Sequence, residues 1–202
     1  MNGSRVNTKR DLRRRLREER SRLGRDEWEA WSEEVQRRFL RLPEYGRCRT
    51  LLLYIHTDRE VRTDLILEQA LADGKKVCMP ANDFSAGVFV PSRIRSAADI
   101  DRRGRIPEPV RVEPVSCAEI DLVAVPGVVF DRCGGRIGMG GGFYDRFLSR
   151  HHSARKVGIA FSFQVLDEEI PCDARDVRMD LVVTEKEVIV PAQAGGPLTS
   201  PL

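Results

Sequence analysis

Cysteine is scarce in this chain: 202 residues contain five, and no two of them form a CxxC pair. An odd number of cysteines without paired spacing argues against a zinc site and against a disulfide framework, and it favours free thiols in a reducing compartment. Long apolar runs are lacking as well, since no stretch approaches the length of a membrane span and the first thirty residues contain no signal-peptide core. We therefore expect a cytoplasmic protein that does not bind a membrane.

The charge is small overall but unevenly distributed. The net charge is +3, yet the first 50 residues hold 15 Lys and Arg against 9 Asp and Glu. A basic end is compatible with nucleic acid, with a phosphorylated small molecule or with a solvated helix face. The length suits one domain with a substantial core. We place this domain at residues 8–190, between a disordered segment 1–7 and a flexible tail 191–202.

Apolar runs alternate with amphipathic helical patterns along the chain. Pro80 and Pro91 are expected to end two of the strands. The predicted strands are 50–55, 76–79, 88–90, 120–125, 156–161, 181–184 and 188–190. One predicted helix starts at Thr8, and three others cover 26–42, 63–74 and 143–150. A helical turn is predicted at 163–170. This alternation predicts a three-layer, Rossmann-like α/β domain with a mostly parallel sheet, whose ligand lies at the carboxyl ends of the strands.

The segment 134–145, GGRIGMGGGFYD, is unusually rich in glycine. A loop without Cβ atoms lets several backbone N–H groups approach one anion. It lies between a predicted strand and a predicted helix, an arrangement that binds phosphate, and Arg136 adds a fork of donors suited to phosphate oxygens. The loop fits neither the GxGxxG dinucleotide pattern nor the GxxxxGK[ST] P-loop. A flexible surface hairpin is therefore the alternative interpretation.

Basic residues recur on the first predicted helix. Lys9, Arg13 and Arg17 follow at four-residue steps and share one face. Like charges so placed repel by a few tenths of a kcal/mol per pair unless an anion binds them. The face is either part of an anion site or simply solvated.

The longer string 126–148, PGVVFDRCGGRIGMGGGFYDRFL, resembles the signature of the 5-formyltetrahydrofolate cyclo-ligase (5,10-methenyltetrahydrofolate synthetase) family. That signature runs PG-x-x-FD, a variable turn, then G-x-R-[LI]-G-x-G-x-G-[YF]-YD. The resemblance covers about residues 8–190 and implies the sugar-isomerase-like Rossmannoid fold. It also implies an ATP- and Mg²⁺-dependent conversion of 5-formyltetrahydrofolate to 5,10-methenyltetrahydrofolate, with release of ADP and phosphate.

The resemblance further implies a set of site residues. Lys9 and Arg13 occupy the positions of an early K-x-x-x-R at the family's ATP site. Arg136 is the expected catalytic residue, because phosphoryl transfer depends on positioning and on neutralising charge. The implied nucleotide-binding residues of the loop are Arg136, Ile137, Gly138, Met139, Gly140, Gly141, Gly142, Phe143 and Tyr144. Met139 differs from the aromatic or basic residue that is usual at this position in relatives. The difference affects the side-chain contacts expected there, but not the binding of phosphate by backbone N–H groups of the loop.

The folate and metal sites follow from the same resemblance. Ile55 and Glu60 are the expected folate-binding residues, and 104–109, GRIPEP, resembles a segment at the mouth of the folate pocket. Asp145 and Asp180 are the expected Mg²⁺ ligands, since Mg²⁺ prefers one or two carboxylates with phosphate oxygens and water. Spacing alone favours structural roles instead, with Asp145 as a first-turn helix carboxylate and Asp180 as a cap at a strand start.

Two other classes of function remain open from the sequence. One is a non-catalytic nucleotide- or folate-binding module on the same fold. The other is an RNA-binding protein that uses the arginine-rich first helix, although this helix lacks interleaved aromatic residues and any RRM or KH pattern. Our prediction is the enzyme, with ATP and 5-formyltetrahydrofolate as partners, without nucleic acid, and as a monomer.

Overall fold

The computed structural model describes residues 8–150 and 153–191. The expected disorder of 1–7 and of the tail beyond 191 concerns residues outside this range. The helices are α1 Lys9–Ser21, α2 Arg25–Leu40, α3 Pro43–Arg47, α4 Asp64–Ala72 and α5 Phe143–Leu148. The strands are β1 Thr50–Leu52, β2 Lys76–Asp83, β3 Val88–Ile94, β4 Ile100–Asp101, β5 Glu108–Pro109, β6 Leu122–Pro126, β7 Val129–Asp131, β8 Arg136–Ile137, β9 Arg155–Ile159, β10 Val165–Leu166, β11 Leu181–Val183 and β12 Val188–Ile189.

Seven strands form the central sheet in the order β12-β11-β9-β6-β1-β2-β3. The five inner strands are parallel, and the edge strands β3 and β12 are antiparallel to their neighbours. The predicted mostly parallel α/β sheet is thus confirmed. Across the described residues, no helix is both long enough and apolar enough to cross a bilayer.

Both faces of the sheet are covered, as the continuous apolar strands require. Along β1 the side chains alternate between two cores, with Leu51 in one and Leu52 in the other. The first core contains Phe39 of α2 and Ile66 of α4, and the second contains Phe147 of α5. Helices therefore form a layer on each side of the sheet.

The prediction that Pro80 and Pro91 end their strands was wrong. Strands β2 and β3 run through them, and the two prolines face each other in the antiparallel ladder. On its other side β2 pairs with β1 only up to Cys78. At Pro80, therefore, no strand on the β1 side would accept a hydrogen bond from a backbone N–H. Proline, which lacks this N–H, is tolerated at such positions.

A small second sheet, β10-β7-β8, was not predicted. Its strands have two or three residues, too few for a periodicity signal, and β10 occupies part of the segment for which a helical turn was expected. Helix α1 packs on this sheet through Leu12 and Leu16, which share a core with Val129 and Ile137. The glycine-rich loop leaves this sheet at Ile137, so the hairpin β7–β8 positions the loop beside α1.

Candidate active site

A cavity of about 1290 Å³ lies at the carboxyl ends of β1, β2 and β6. Its walls include Ile55 after β1, Asn82 in β2, and Gly127 after β6. In the sheet, β2 and β3 lie on one side of β1, whereas β6, β9 and β11 lie on its other side. The strand order therefore reverses at β1, and α/β sheets bind ligands at such a topological switch point. The cavity lies there. Its volume exceeds the roughly 300–1,000 Å³ of a typical single-ligand pocket. The cavity has room for two reactants.

The glycine-rich loop forms one wall of this cavity. Every predicted loop residue from Arg136 to Tyr144 lines it. Gly140 and Gly142 have φ values of +107° and +69°, a left-handed backbone that side chains rarely adopt. A Cβ on Gly138 would lie 2.7 Å from Nη1 of Arg136. Glycine is therefore required for the path of the loop and for the approach of this guanidinium.

Asp131, the aspartate of the PG-x-x-FD segment, holds the turn before the loop. Its buried carboxylate accepts hydrogen bonds from the backbone N–H groups of Cys133 at 2.9 Å, Gly135 at 2.7 Å and Ile170 at 3.0 Å. Asp131 does not line the cavity. This motif residue thus has a structural role, and it fixes the start of β8.

Arg136 is buried beneath the loop. Its Nη1 donates to the carbonyl of Pro126 at 3.1 Å and its Nη2 to Oδ1 of Asp145 at 2.8 Å. Within residues 8–150 and 153–191, its buried Nε finds no hydrogen-bond acceptor. Leaving a buried donor unpaired costs about 1–3 kcal/mol, which a bound anion would offset. The protein therefore orients the guanidinium, and a donor on its Nε is left for a ligand.

Asp145 faces the same cavity with a side chain that is 22 % exposed. One carboxylate oxygen binds Arg136, and Oδ2 receives no hydrogen bond from the described part of the chain. That part contains no group of three or more His, Cys, Asp and Glu residues arranged to hold a metal. Mg²⁺ needs no such cage where substrate phosphates and water complete its shell. Asp145 therefore suits Mg²⁺ as a single protein ligand.

Asp180 does not line the cavity, so the structure does not bring the two predicted metal ligands together. It precedes β11 at the amino ends of the parallel strands, where its Oδ2 accepts from the backbone N–H of Lys156 at 2.7 Å. Its carboxylate also pairs with Nζ of Lys156 at 3.0 Å and with Arg155 at 3.6 Å. Asp121, before β6, binds the N–H of Thr50 in the same way at 2.9 Å. Both aspartates cap the edge of the sheet opposite the cavity.

Helix α1 brings two predicted cations to the cavity. Nζ of Lys9 donates to Oδ2 of Asp173 at 2.8 Å and also to Asp176. Burial alone would lower the pKa of Lys9, but hydrogen bonds to these two carboxylates outweigh it and raise the pKa. Nε of Arg13 donates to the carbonyl of Gly138 at 2.8 Å. The helix thus touches the glycine-rich loop directly, and Lys9 is already paired.

The wall after β1 carries the predicted folate residues. Ile55 and Glu60 both line the cavity. Oε2 of Glu60 accepts from the N–H of Thr57 at 3.0 Å and from its hydroxyl at 3.1 Å, while Nε1 of Trp28 binds the Glu60 carbonyl at 2.7 Å. These bonds fix the backbone and the carboxylate of Glu60 at the cavity wall.

Tyr144 lies between the loop and this wall. Its hydroxyl oxygen is buried and has no hydrogen-bond partner among the described residues. Burial raises the pKa of this hydroxyl well above its usual value, and the negative charge of Glu60 raises it further. The hydroxyl therefore stays protonated as a donor. The guanidinium carbon of Arg136 lies 5.8 Å from the centre of the Tyr144 ring.

The polar residues of the cavity that sequence reasoning did not assign to the site include Asp173, Asp176 and Arg146. Nε of Arg146 donates to the carbonyl of Gly87 at 2.8 Å, and its Nη2 binds the carbonyl of Gly141. Arg146 therefore fastens the loop to the turn between β2 and β3. Its place directly after Asp145, at the end of the motif, is a signal that could have indicated it.

The chain is similar to known proteins over most of its length. The model of the 5-formyltetrahydrofolate cyclo-ligase family matches residues 5–185. A 5-formyltetrahydrofolate cyclo-ligase from Escherichia coli is 32 % identical over 182 residues, which cover 86 % of this chain and 98 % of the relative. Both matches extend over most of the chain and include the glycine-rich loop.

Solved structures give the same result. The solution structure of a 5,10-methenyltetrahydrofolate synthetase from Aquifex aeolicus is 35 % identical, with a TM-score of 0.81 over 95 % of this chain and 96 % of that protein. A synthetase of the same name from Mycoplasma pneumoniae is 23 % identical with a TM-score of 0.72, which shows a shared fold. The matched sequence and the shared fold establish that the chain belongs to the 5-formyltetrahydrofolate cyclo-ligase family.

Proposed function

We propose that this chain uses ATP and Mg²⁺ to convert 5-formyltetrahydrofolate into 5,10-methenyltetrahydrofolate, releasing ADP and phosphate. The observation that carries the proposal is one cavity, large enough for two reactants, whose walls are the glycine-rich loop with Arg136 and the segment with Ile55 and Glu60. The first wall offers donors for a triphosphate, and the second offers a carboxylate and apolar surface for a folate ring.

In the proposed reaction the formyl oxygen attacks the γ-phosphorus, and the bond between phosphorus and the bridging oxygen of ADP breaks. N10 then adds to the activated formyl carbon and loses its proton, and the carbon–oxygen bond breaks to release phosphate. The protein has little acid–base chemistry to perform. Its task is to align the two reactants and to stabilise the charge on the transferred phosphoryl group.

The loop and α1 would hold the nucleotide. The four glycines of segment 138–142 have no Cβ atoms, and the segment lines the cavity, so its backbone N–H groups can approach a phosphate. Arg136 is held in place by Pro126 and Asp145 before any ligand binds, so its charge needs no reorganisation during the reaction. Arg13, fastened to the carbonyl of Gly138, adds positive charge beside the loop.

Asp145 would hold the magnesium that accompanies ATP. The metal supplies charge neutralisation of the phosphate oxygens when bound. Without the metal, a carboxylate next to a triphosphate would repel it. Two like charges about 4 Å apart repel each other by roughly 4 kcal/mol at an effective dielectric near 20. The pairing of one Asp145 oxygen with Arg136 reduces this repulsion and leaves Oδ2 for the metal.

Ile55 and Glu60 would bind the folate. Glu60 is oriented by the hydrogen bonds from Thr57, so its remaining acceptor capacity can bind N–H groups on the edge of a pterin ring. Ile55 offers apolar contact to the ring from the end of β1. We further propose that the enzyme acts as a monomer in the cytoplasm, which sedimentation of the pure protein and fractionation of cells would test.

An absorbance assay tests the proposed activity. The purified chain, given 5-formyltetrahydrofolate and MgATP, should form the methenyl product with one ADP per turnover, and omission of either ATP or magnesium should abolish it. A well-folded sample that forms no product with both substrates present would refute the proposal. Asp180→Asn is the matched control, because Asp180 lies at the opposite edge of the sheet.

A further inference from the structure

Gln164 is a buried polar residue to which the proposed reaction assigns no role. It ends the short helical turn Ser162–Gln164 between β9 and β10, and it is 1 % exposed. Its Nε2 donates to the carbonyls of Gly127 at 3.1 Å and Val128 at 2.9 Å, and its Oε1 accepts from the N–H of Phe161 at 3.0 Å. Both donors and the oxygen of this side-chain amide are therefore engaged with the backbone.

The two donated bonds fall on the short connection between β6 and β7. Strand β6 ends at Pro126 and β7 begins after Val128, so Gly127 and Val128 form this connection. The preceding carbonyl, that of Pro126, accepts from Nη1 of Arg136. Three consecutive carbonyls are thus bound by two side chains, the first by Arg136 and the next two by Gln164. Pro126 and Gly127 line the cavity, whereas Gln164 lies behind them.

The connection needs a restraint from outside at Gly127. A Cβ there would lie 2.4 Å from Cζ of the buried Phe130 ring, so the close packing of this segment requires glycine. Glycine allows more backbone conformations than any other residue, so it does not by itself fix the direction of the Pro126 carbonyl. The N–H of Val128 binds the carbonyl of Ile137 at 2.8 Å, which holds the far end of the connection. Gln164 holds its middle.

The turn that carries Gln164 is itself anchored away from the cavity. The N–H of Ser162 donates to Oε2 of Glu185 at 2.8 Å, and Glu185 is buried. The carbonyl of Glu185 accepts from Nη2 of Arg38 at 3.0 Å, which ties the turn to α2. Gln164 therefore transmits the position of a rigid part of the fold to the connection beside the cavity.

We infer that Gln164 is a positioning residue for Arg136. The inference rests on the proposed function, in which Arg136 stabilises the charge on the transferred phosphoryl group. Loss of the amide lets the connection turn at Gly127, which moves the Pro126 carbonyl away from Nη1 of Arg136. The guanidinium then keeps its bond to Asp145 but loses the second fixed partner that sets its direction. Stabilisation of a transition state depends on donors that are fixed in advance.

Replacement of this glutamine should reduce turnover more than binding. Gln164→Met keeps the length of the side chain and lacks both donors. It should lower kcat about 10- to 100-fold, because misplacement of a reacting or stabilising group by about 1 Å has effects on this scale. The KM values for ATP and for 5-formyltetrahydrofolate should stay within threefold of the parent.

Gln36→Met is the matched control. Gln36 is also a buried glutamine, 4 % exposed, that binds backbone groups: Oε1 accepts from the N–H of Leu65 at 2.8 Å, and Nε2 donates to the carbonyl of Ser32 at 3.1 Å. It does not line the cavity. The same substitution there removes comparable bonds without a link to Arg136, so kcat should stay within twofold of the parent.

A double-mutant comparison separates positioning from general stability. If Gln164 acts through Arg136, Gln164→Met should change the rate less than twofold in a protein that already carries Arg136→Ala, because the two effects are not independent. Single-turnover measurements with enzyme in excess can follow the slow variants. Gln164→Glu, which keeps the size of the side chain and an oxygen for the Phe161 N–H, serves under the same criteria if the methionine variant does not fold.

The inference is supported by a loss of kcat in the parent background that disappears with Arg136→Ala. A Gln164 variant with kcat within twofold of the parent would overturn it, as would equal losses in both backgrounds or an equal loss in Gln36→Met. A higher KM with unchanged kcat would also overturn it, since it would assign Gln164 to substrate binding. A folded parent chain that forms no methenyl product would refute the proposed function itself, and the inference with it.

Discussion

Arg136 and Asp145 form an ion pair that joins the two ends of the glycine-rich loop, with Nη2 and Oδ1 2.8 Å apart. The Arg136 side chain is 3 % exposed, so this pair is little screened by solvent. Residues 138–142 span the distance between the two partners. The pair therefore sets the shape of the loop before any ligand arrives, which is the preorganisation that charge stabilisation in a transition state requires.

Replacing this arginine should affect turnover strongly. We predict that Arg136→Ala lowers kcat ~100-fold or more, the scale of removing one preorganised donor. Arg136→Lys should restore activity only partly, because a point charge cannot bind both Pro126 and Asp145 as the planar fork does. Steady-state kinetics on samples checked for folding by circular dichroism would measure this. An alanine variant within a few-fold of the parent would remove Arg136 from the catalytic site.

Replacement of the two aspartates should have different effects on turnover. Asp145→Asn is expected to abolish turnover, because it removes the carboxylate that faces the phosphates. Asp180→Asn should keep kcat within twofold and lower the free energy of unfolding by about 1 kcal/mol, since it weakens charge-assisted bonds to Lys156 and Arg155. Kinetics and urea unfolding of both variants give the comparison. Loss of turnover in a folded Asp180→Asn protein would contradict the placement of Asp180 away from the site.

The two aspartates also show which site residues could be predicted from the sequence. The loop residues are contiguous, so the motif alone places Arg136, the glycines and Asp145 together. The structure puts Arg136, Asp145 and the four glycines of segment 138–142 on one cavity. Asp180 is remote in sequence, and its position depends on strand direction. A residue just before a parallel strand lies at the amino edge of the sheet, whereas the ligand lies at the carboxyl edge.

The errors in the predicted strands have a similar physical origin. Proline ends a strand only where its missing N–H is needed, and the sequence does not show that Pro80 and Pro91 face each other beyond the end of β1. The strands β7 and β8 are too short for a periodic pattern, although they position the glycine-rich loop. Long buried strands such as β6 were predicted to within two residues because their apolar runs are continuous.

Helix α1 should act through two of its cations. We predict that Arg13→Gln raises the KM for ATP about tenfold, because Arg13 lies against Gly138 beside the proposed phosphate site. Lys9→Gln should have a smaller effect, since Lys9 is paired with Asp173 and Asp176. Arg17→Gln is the control, one turn further along the helix and outside the cavity lining.

Point variants are preferable to deletion of this helix. Leu12 and Leu16 are buried against the small sheet, so removing the helix would expose part of a core. Calorimetric titration with MgATP measures the predicted differences directly. Equal ATP affinity in the parent and in the Arg13→Gln and Lys9→Gln variants would show that these cations do not contribute to nucleotide binding.

His56 should make stability depend on pH. Burial lowers the pKa of His56, and the charges of Arg102 and Arg62 lower it further, while Asp64 opposes them. The unfolded chain, with a histidine pKa of about 6.5, therefore binds a proton before the folded protein does. Stability should fall as pH decreases below about 6.5 and level off below the folded pKa. Replacement of this histidine should remove that part of the decrease.

Urea unfolding at pH 7.5 and pH 5.5 would measure this contribution. The parent should lose more free energy of unfolding between the two pH values than His56→Gln does. The comparison isolates His56, because every other titrating group is common to both proteins. An equal or larger loss in the variant would mean that His56 titrates alike in the folded and unfolded states.

An isotope experiment tests whether the formyl oxygen attacks the γ-phosphorus of ATP. 5-Formyltetrahydrofolate labelled with ¹⁸O in the formyl group is incubated with MgATP and the parent chain, and the released phosphate is analysed by mass spectrometry. The proposed reaction breaks the carbon–oxygen bond only after phosphorus has bound that oxygen. It therefore predicts one ¹⁸O in each phosphate per methenyl product, whereas unlabelled phosphate formed from fully labelled substrate would contradict the mechanism.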